Sequence, residues 1–380
     1  MTIYLDNNAT TALDPAVLEA MLPYLAEHYG NPSSIHTPGR VARTAIDNAR
    51  EQVADLVGAH PTQLIFTSGG TEANNLALNS LATHGVATFC VSAIEHPSVL
   101  EPARQWQAKG WKLELVPVDT NGSVNEDAAL EMLQRQPTLM SVMMANNETG
   151  VIQPLSNLAH RAREQGVIVH TDAVQAVGKI PVDFNALGVH LMSLSSHKIY
   201  GPKGVGALVV DKALDIPPLL FGGGHEKGRR SGTENVAAIV GFAKAAELAQ
   251  QQLEQRSQHM LALRIRLEAA LNTLDGVHII AESAQRLPNT VLIAIPGIEG
   301  ETLLMSLDAK GIALSSGSAC ASGDTEPSHV LRAMNLDEEL VHSTLRISFG
   351  KDSTQAECDA VVAAIKELTQ MSQQMASVAW

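Results

Sequence analysis

Between residues 60 and 210 the chain repeats one kind of pattern: a short apolar run, a polar or glycine-bearing turn, then a stretch of helical period. The apolar runs at 63–67, 88–91, 113–116, 139–144, 167–170, 191–194 and 206–210 predict strands, and the periodic stretches at 72–82, 99–108 and 155–164 predict helices. Strand alternating with helix implies a mostly parallel sheet covered on both faces. In such sheets ligands sit beyond the carboxyl ends of the strands, so chemistry is sought there.

The pattern changes after residue 220. Residues 222–233 (GGGHEKGRRSGT) are too glycine-rich and charged to form a regular element, and a long loop of that kind is usually functional or disordered. A helical segment at 234–274 follows, long enough to cross most of a domain, and reads as the connection to a second one. Beyond it, strands at 277–280, 290–295 and 345–349 and helices at 301–310 and 354–371 predict a smaller α+β unit. The expected division is a large unit at 15–250 and a small one made of 1–14 and 251–380.

Composition narrows the class. The chain has 380 residues, 45% apolar and 17% charged, which fits a soluble globular protein and excludes disorder, collagen and coiled coil. Its net charge of −14 argues against nucleic acid or an anionic membrane as partner, so an anionic ligand must be gripped locally. No apolar run approaches the roughly 20 residues of a membrane span, and Met1-Thr2-Ile3-Tyr4-Leu5-Asp6 lacks the basic start and apolar core of a signal peptide. A cytoplasmic location is the expectation. Cysteines at 90, 320 and 358 form no disulfide framework, and no Cys-x-x-Cys or His-x-x-x-His spacing suggests a metal site.

Candidate chemistry gathers at the strand ends. The strand at 191–194 runs into Ser195-Ser196-His197-Lys198-Ile199-Tyr200-Gly201-Pro202. A lysine leaving a buried strand is placed to lose hydration, and a lysine of lowered pKa forms Schiff bases with aldehydes such as pyridoxal phosphate. Taken alone, most such lysines are solvated loop residues; the neighbouring strand ends supply the context. Asp172 follows the strand at 167–170, either as a helix N-cap or as the carboxylate that keeps a pyridine nitrogen protonated. Ser68-Gly69-Gly70-Thr71-Glu72 opens a helix after the strand at 63–67 and forms a phosphate cradle. His96, before Pro97, is either a cap or an aromatic face stacked on a cofactor ring. Asn146-Asn147-Glu148-Thr149-Gly150 is explained almost fully by turn chemistry.

Cys90 lies in an apolar strand and Cys358 on the apolar stripe of Val361, Val362, Ile365 and Leu368, so both read as core. Cys320 differs: small and polar neighbours from Leu314 to Asp324 give it no apolar burial. It is either an incidental loop thiol or one that must reach successive partners. Arg346 alternates with Leu345, Ile347 and Phe349 and so occupies the opposite strand face, as a carboxylate clamp or as an ordinary solvated arginine.

With these residues in view, the sequence resembles the pyridoxal-phosphate cysteine desulfurases of the NifS/IscS type over nearly its whole length. The matching stretches include Tyr4-Leu5-Asp6-Asn7-Asn8-Ala9-Thr10-Thr11, Gly30-Asn31-Pro32-Ser33-Ser34, Glu95-His96-Pro97, Arg229 to Asn235 and Ser315 to Arg332, besides the strand-end motifs above. The look is closest to the nitrogen-fixation branch. The resemblance implies a fold-type I transferase, α/β, with a mostly parallel seven-stranded sheet in the large domain and a smaller α+β domain carrying the Cys320 loop.

It further implies that Lys198 holds the cofactor covalently, Asp172 pairs with the pyridine nitrogen, and Gln175 and Asn147 contact the ring-oxygen region. Gly70, Thr71, Ser195 and His197 would hold the phosphate, with Thr233 reaching across from a second subunit of a homodimer. His96 would stack on the ring, Arg346 with Asn147 would bind the substrate carboxylate, and Cys320 would be the nucleophile. With Lys198 and His96 as acid/base groups, L-cysteine would give alanine and a Cys320 persulfide, whose outer sulfur passes to an acceptor such as an iron–sulfur scaffold. Two features depart from the family: the longer docking tail of its housekeeping members is not matched, and Gly323-Asp324-Thr325 replaces the usual small-residue filling. A selenocysteine lyase or another class V aminotransferase is the competing reading, and a cofactor-free sulfur relay a third.

Overall fold

The computed structural model describes residues 2–81, 85–316 and 327–378, the side chains of 371–378 excepted. Strand β1 is Ile3–Tyr4. The next seven strands, β2 (Leu64–Thr67), β3 (Thr88–Ser92), β4 (Lys112–Val116), β5 (Leu139–Ser141), β6 (Ile168–Asp172), β7 (Leu191–Ser195) and β8 (Gly206–Val210), form one sheet in the order β2-β8-β7-β6-β5-β3-β4. β8 alone runs antiparallel to its neighbours. Both faces are covered because successive side chains point to opposite sides and both sides are apolar. Leu64 and Phe66 of β2 and Met192 and Leu194 of β7 enter one core. Ile65, Leu191, Leu208 and Val210 enter the other.

The first core is closed by helices Thr37–Leu56 and Val236–Gln251, the second by Gly70–Asn79 and Pro97–Ala108. Several helices lie outside the elements expected from periodicity, among them Pro15–Ala26, Thr37–Leu56 and Glu126–Leu133. Pro15–Ala26 is started by Asp14, whose carboxylate accepts from Ala16 N, with Pro15 next. Thr37–Leu56 buries Ala42, Ala45, Ile46, Ala49 and Val53, a stripe of three- and four-residue steps. The strand expected at 139–144 ends at Ser141, because the following residues turn toward the cavity described below.

The helix expected at 234–274 is two helices, Val236–Gln251 and Leu253–Leu271, divided at Gln252. The division has a packing cause. Phe242, Ala245, Ala246 and Ala249 belong to the first core, whereas Met260, Leu263, Leu267 and Leu271 belong to a third, so one straight rod would not serve both. That third core lies against a sheet of β9 (His278–Ile279), β10 (Thr290–Ala294), β12 (Ser315–Ser316) and β13 (Thr344–Ser348), ordered β12-β13-β10-β9, while β1 pairs with β11 (Ile312–Ala313). Val291, Ile293, Leu345 and Ile347 pack into it with helices Leu253–Leu271 and Gln355–Val378. Leu292 and Arg346, level with each other across the ladder, occupy the opposite face. Cys90 and Cys358 are buried free thiols, as read from their apolar settings; burial pushes them up to about 12 and about 11. No helix among the described residues is long and apolar enough to cross a membrane.

Candidate active site

Register brings the strand ends together. Gly206 of β8 lies opposite both Thr67 of β2 and Ser195 of β7, so the loop leaving β2 and the loop leaving β7 start side by side. Contact is close enough to select glycine: a Cβ at Gly70 would approach Val174 Cγ2 to 2.9 Å and Ser195 Cβ to 3.5 Å. A cavity of about 280 Å³ opens here, lined by Gly70, Thr71, His96, Asn147, Asp172, Gln175, Ser195, His197, Lys198 and Arg346. All ten are residues singled out from the sequence. Asn8, Ala9, Asn74, Ser98, Met143 and Val174 complete the lining.

Each wall has a distinct character. Helix Gly70–Asn79 begins without a side-chain cap, leaving its first N–H groups for an anion. Beside it the Ser195 hydroxyl is buried and has no hydrogen-bond partner among the described residues. Asp172 ends β6, and both of its oxygens are oriented: Oδ2 accepts from Asn74 Nδ2 at 2.7 Å and Oδ1 from Val174 N at 2.9 Å. It lies on the cavity wall and caps a turn, since no helix follows it before Phe184–Leu187.

His96 is a helix cap that also faces the cavity. It caps helix Pro97–Ala108, Nδ1 accepting from Ser98 N at 3.0 Å, and its ring lines the cavity. A nitrogen that accepts from a backbone N–H carries no proton, so neutral His96 is protonated at Nε2. Burial lowers its pKa, against the pull of Asp172. Burial, then Lys198 and Lys203, hold His197 at about 4 and therefore neutral.

Lys198 Nζ donates to the carbonyl oxygens of Asn8 and Ala9 at 2.5 and 2.8 Å. Immediately beyond it Tyr200 has φ +70°, a left-handed conformation unfavourable for a bulky residue. It is held there from outside: its hydroxyl accepts from Lys351 N at 2.6 Å and its carbonyl from Asp14 N at 3.0 Å. Asn8 ties the two sheets together. Its carbonyl also accepts from Gln175 Nε2 at 3.0 Å, and its amide donates to Asn147 O at 3.2 Å and Thr290 Oγ1 at 2.9 Å. Arg346 reaches the cavity from β13 as a buried residue, which removes the solvated-arginine reading.

Two buried acids escaped the sequence reading. Glu95 Oε1 accepts from Ser92 Oγ at 2.7 Å and from Met143 N; burial pushes its carboxyl up to about 8. Glu148 Oε2 accepts from Ser328 Oγ at 2.6 Å and is pushed up to about 7 for the same reason. Their sequence signal was weak: each is an acid a few residues beyond an apolar strand, in a turn that accounts for it without burial. Thr233 is exposed and not part of this cavity in its own chain. Cys320 lies outside the described residues.

An α/β enzyme with a lysine, a carboxylate and an anion cradle at the ends of adjacent strands is the class this geometry defines. The chain matches the profile of the aminotransferase class-V family over residues 3–361 and belongs to that family. It is 43% identical to cysteine desulfurase IscS of Methanosarcina thermophila, covering 98% of this chain and 93% of that protein. It is also 43% identical to cysteine desulfurase NifS of Azotobacter vinelandii, covering 95% and 90%. A solved structure titled "NIFS-LIKE PROTEIN" superposes with a TM-score of 0.92 at 39% identity, over 98% of this chain and all of that one. Another, SspA in complex with cysteine, does so with a TM-score of 0.82 at 30% identity, over 93% of this chain.

The family is pyridoxal-phosphate dependent, and the cavity fits that group. The orphaned Ser195 hydroxyl beside an uncapped helix start suits a phosphate, the oriented Asp172 carboxylate a pyridine nitrogen, and the Lys198 amine an aldehyde.

Proposed function

We propose that this chain is a pyridoxal-phosphate-dependent cysteine desulfurase that transfers the sulfur of L-cysteine to Cys320 and releases L-alanine. One observation carries the reading: an amine, a carboxylate, an anion cradle and a buried guanidinium converge on one cavity from four separate elements.

Gly70, Thr71, Ser195 and His197 hold the phosphate, and Thr233 of a second subunit completes that grip. Its exposure in its own chain leaves it available for such a role. Asp172 holds the ring nitrogen, with Asn74 and Val174 preventing its carboxylate from turning away. His96 walls one face of the ring, and Asn147 and Gln175 contact the ring-oxygen region. Lys198 holds the aldehyde carbon.

When bound, pyridoxal phosphate supplies an electron-withdrawing ring that stabilises negative charge at the substrate α-carbon. Arg346 and Asn147 orient the substrate by its carboxylate. Lys198 would act as the base that moves the proton at that α-carbon, and His96 would be the second acid/base group. The Cys320 thiolate attacks the substrate sulfur: the substrate C–S bond breaks, an S–S bond forms, and the carbon skeleton leaves as alanine. Thiol and L-cysteine become persulfide and L-alanine with no external oxidant.

In this reading 15–250 is the cofactor-binding unit, 1–14 with 251–380 is the smaller unit bearing Cys320, and the protein is a cytoplasmic homodimer. The outer sulfur goes to a protein thiol, such as that of an iron–sulfur scaffold. The test compares alanine and sulfide release from L-cysteine, with reductant, in the wild type and Cys320→Ala at equal cofactor occupancy. Equal yields of both products from the wild type and neither from the variant are expected. Turnover surviving in the variant would move the assignment to a lyase or aminotransferase.

A further inference from the structure

Arg346 carries a charge that cannot reach water, its side chain being only 3% exposed. Such a cation needs a counter-ion whether or not a ligand is present. Its nitrogens are unequally used. Nη1 donates to the Asn147 carbonyl at 3.1 Å and Nη2 to Asp6 Oδ1 at 2.7 Å, while the buried Nε has no partner among the described residues.

Of the acids near Arg346, Glu148 is a poor counter-ion. Its carboxyl is engaged by Ser328, and burial pushes it up to about 7, which favours the neutral acid. Asp6 makes the ion pair, and it differs from its partner in one respect: its side chain is 20% exposed, so it can recover hydration on leaving. Arg346 is fixed in mid-strand, paired with Leu292 on one side and Ser315 on the other. The arginine stays and the aspartate is free to yield.

We propose that Asp6 is a placeholder counter-ion, occupying the Arg346 guanidinium in the empty cavity and yielding Nη2 to the carboxylate of an incoming α-amino acid, which also takes the unpartnered Nε. This rests on the reading of Arg346 as the carboxylate site. Asp6 is thus a positioning residue that acts through Arg346. It weakens amino-acid binding, and only for ligands that carry a carboxylate, because they alone compete with it.

The test uses Asp6→Asn, which keeps the shape and an oxygen acceptor but removes the charge. The pyridoxal-phosphate enzyme is titrated with L-alanine and with ethylamine, the same amine without a carboxylate, and binding is followed by the visible absorption change. The variant should bind L-alanine about 5-fold more tightly and ethylamine within about 2-fold of wild type, a shift of the size a partly exposed ion pair supports. KM for L-cysteine should fall with kcat little changed.

Unchanged or weaker L-alanine binding overturns the proposal, as does equal strengthening for both ligands, which would mark a general rearrangement. A wild type that does not prefer L-alanine to ethylamine would instead remove Arg346 as the carboxylate site, and the placeholder with it. Asp6→Ser, held to the same expectations, serves if Asp6→Asn does not fold.

Discussion

Five strand ends of the seven-stranded sheet furnish most of the cavity, whereas the four-stranded sheet sends it one guanidinium from the middle of a strand. The first set is held by local devices: an uncapped helix start at Gly70, a histidine cap at His96, a turn at Asp172. Arg346 is held by ladder pairing on both sides and moves only if the sheet moves. Groups on loops can be changed one at a time, while a group in mid-strand is as rigid as the sheet and as costly to lose. In the proposed function the sheet-end groups would serve the chemistry, and the mid-strand group would serve recognition.

The sharpest way to break that division is at Lys198. Lys198→Ala should lower turnover of L-cysteine by about 1,000-fold or more, as loss of a covalent and acid/base group does. The pyridoxyl adduct trapped by borohydride should also vanish from the peptide containing residue 198. An adduct persisting on another lysine would end the assignment.

A smaller and differently shaped effect belongs to Arg346→Leu. Loss of a buried charge-assisted clamp should raise KM for L-cysteine about 100-fold, or about 2.7 kcal/mol, with kcat reduced less than about 10-fold. A collapse of kcat at unchanged KM would place the mid-strand arm in the chemistry and erase the contrast.

The mildest effect concerns Glu95, behind the sheet-end groups. Its folded-state pKa of about 8 lies above the ordinary 4.5, so folding favours the protonated acid. That contribution is complete below 4.5 and is lost as pH rises toward 8. Glu95→Gln lacks this slope, so the stability of wild type relative to variant should fall between pH 5 and about 8 in urea melts. His170 and His197, both lowered from 6.5 to about 4, contribute with the opposite sense: their part is complete above 6.5 and is lost as pH falls from there toward about 4. A constant difference across the range would show that Glu95 is ionised in the fold.

What could be read from the sequence follows from where the information resides. Buried strands reveal themselves as apolar runs, and the turn after each carries its chemistry within a few residues, as at 67–72 and 195–198. Asn8 and Ala9 left no such trace. They serve Lys198 through backbone carbonyls, which every residue has, and across about 190 positions of chain. Asn74 was hidden for another reason: within helix Gly70–Asn79 it resembles any polar residue until Asp172 is placed against it. The break at Gln252 has neither glycine nor proline to announce it, and it arises because two cores lie in different directions.

His96 has a consequence for which substitutions the protein can explore. One ring nitrogen caps a helix while the flat of the ring walls the cavity. Asparagine or aspartate would retain the cap and lose the wall; phenylalanine or tryptophan would retain the wall and lose the cap, at about 1 kcal/mol of helix stability. No single replacement at this position preserves both, so position 96 is an isolated point in sequence space. A chain that left histidine there would first need another way to start the helix.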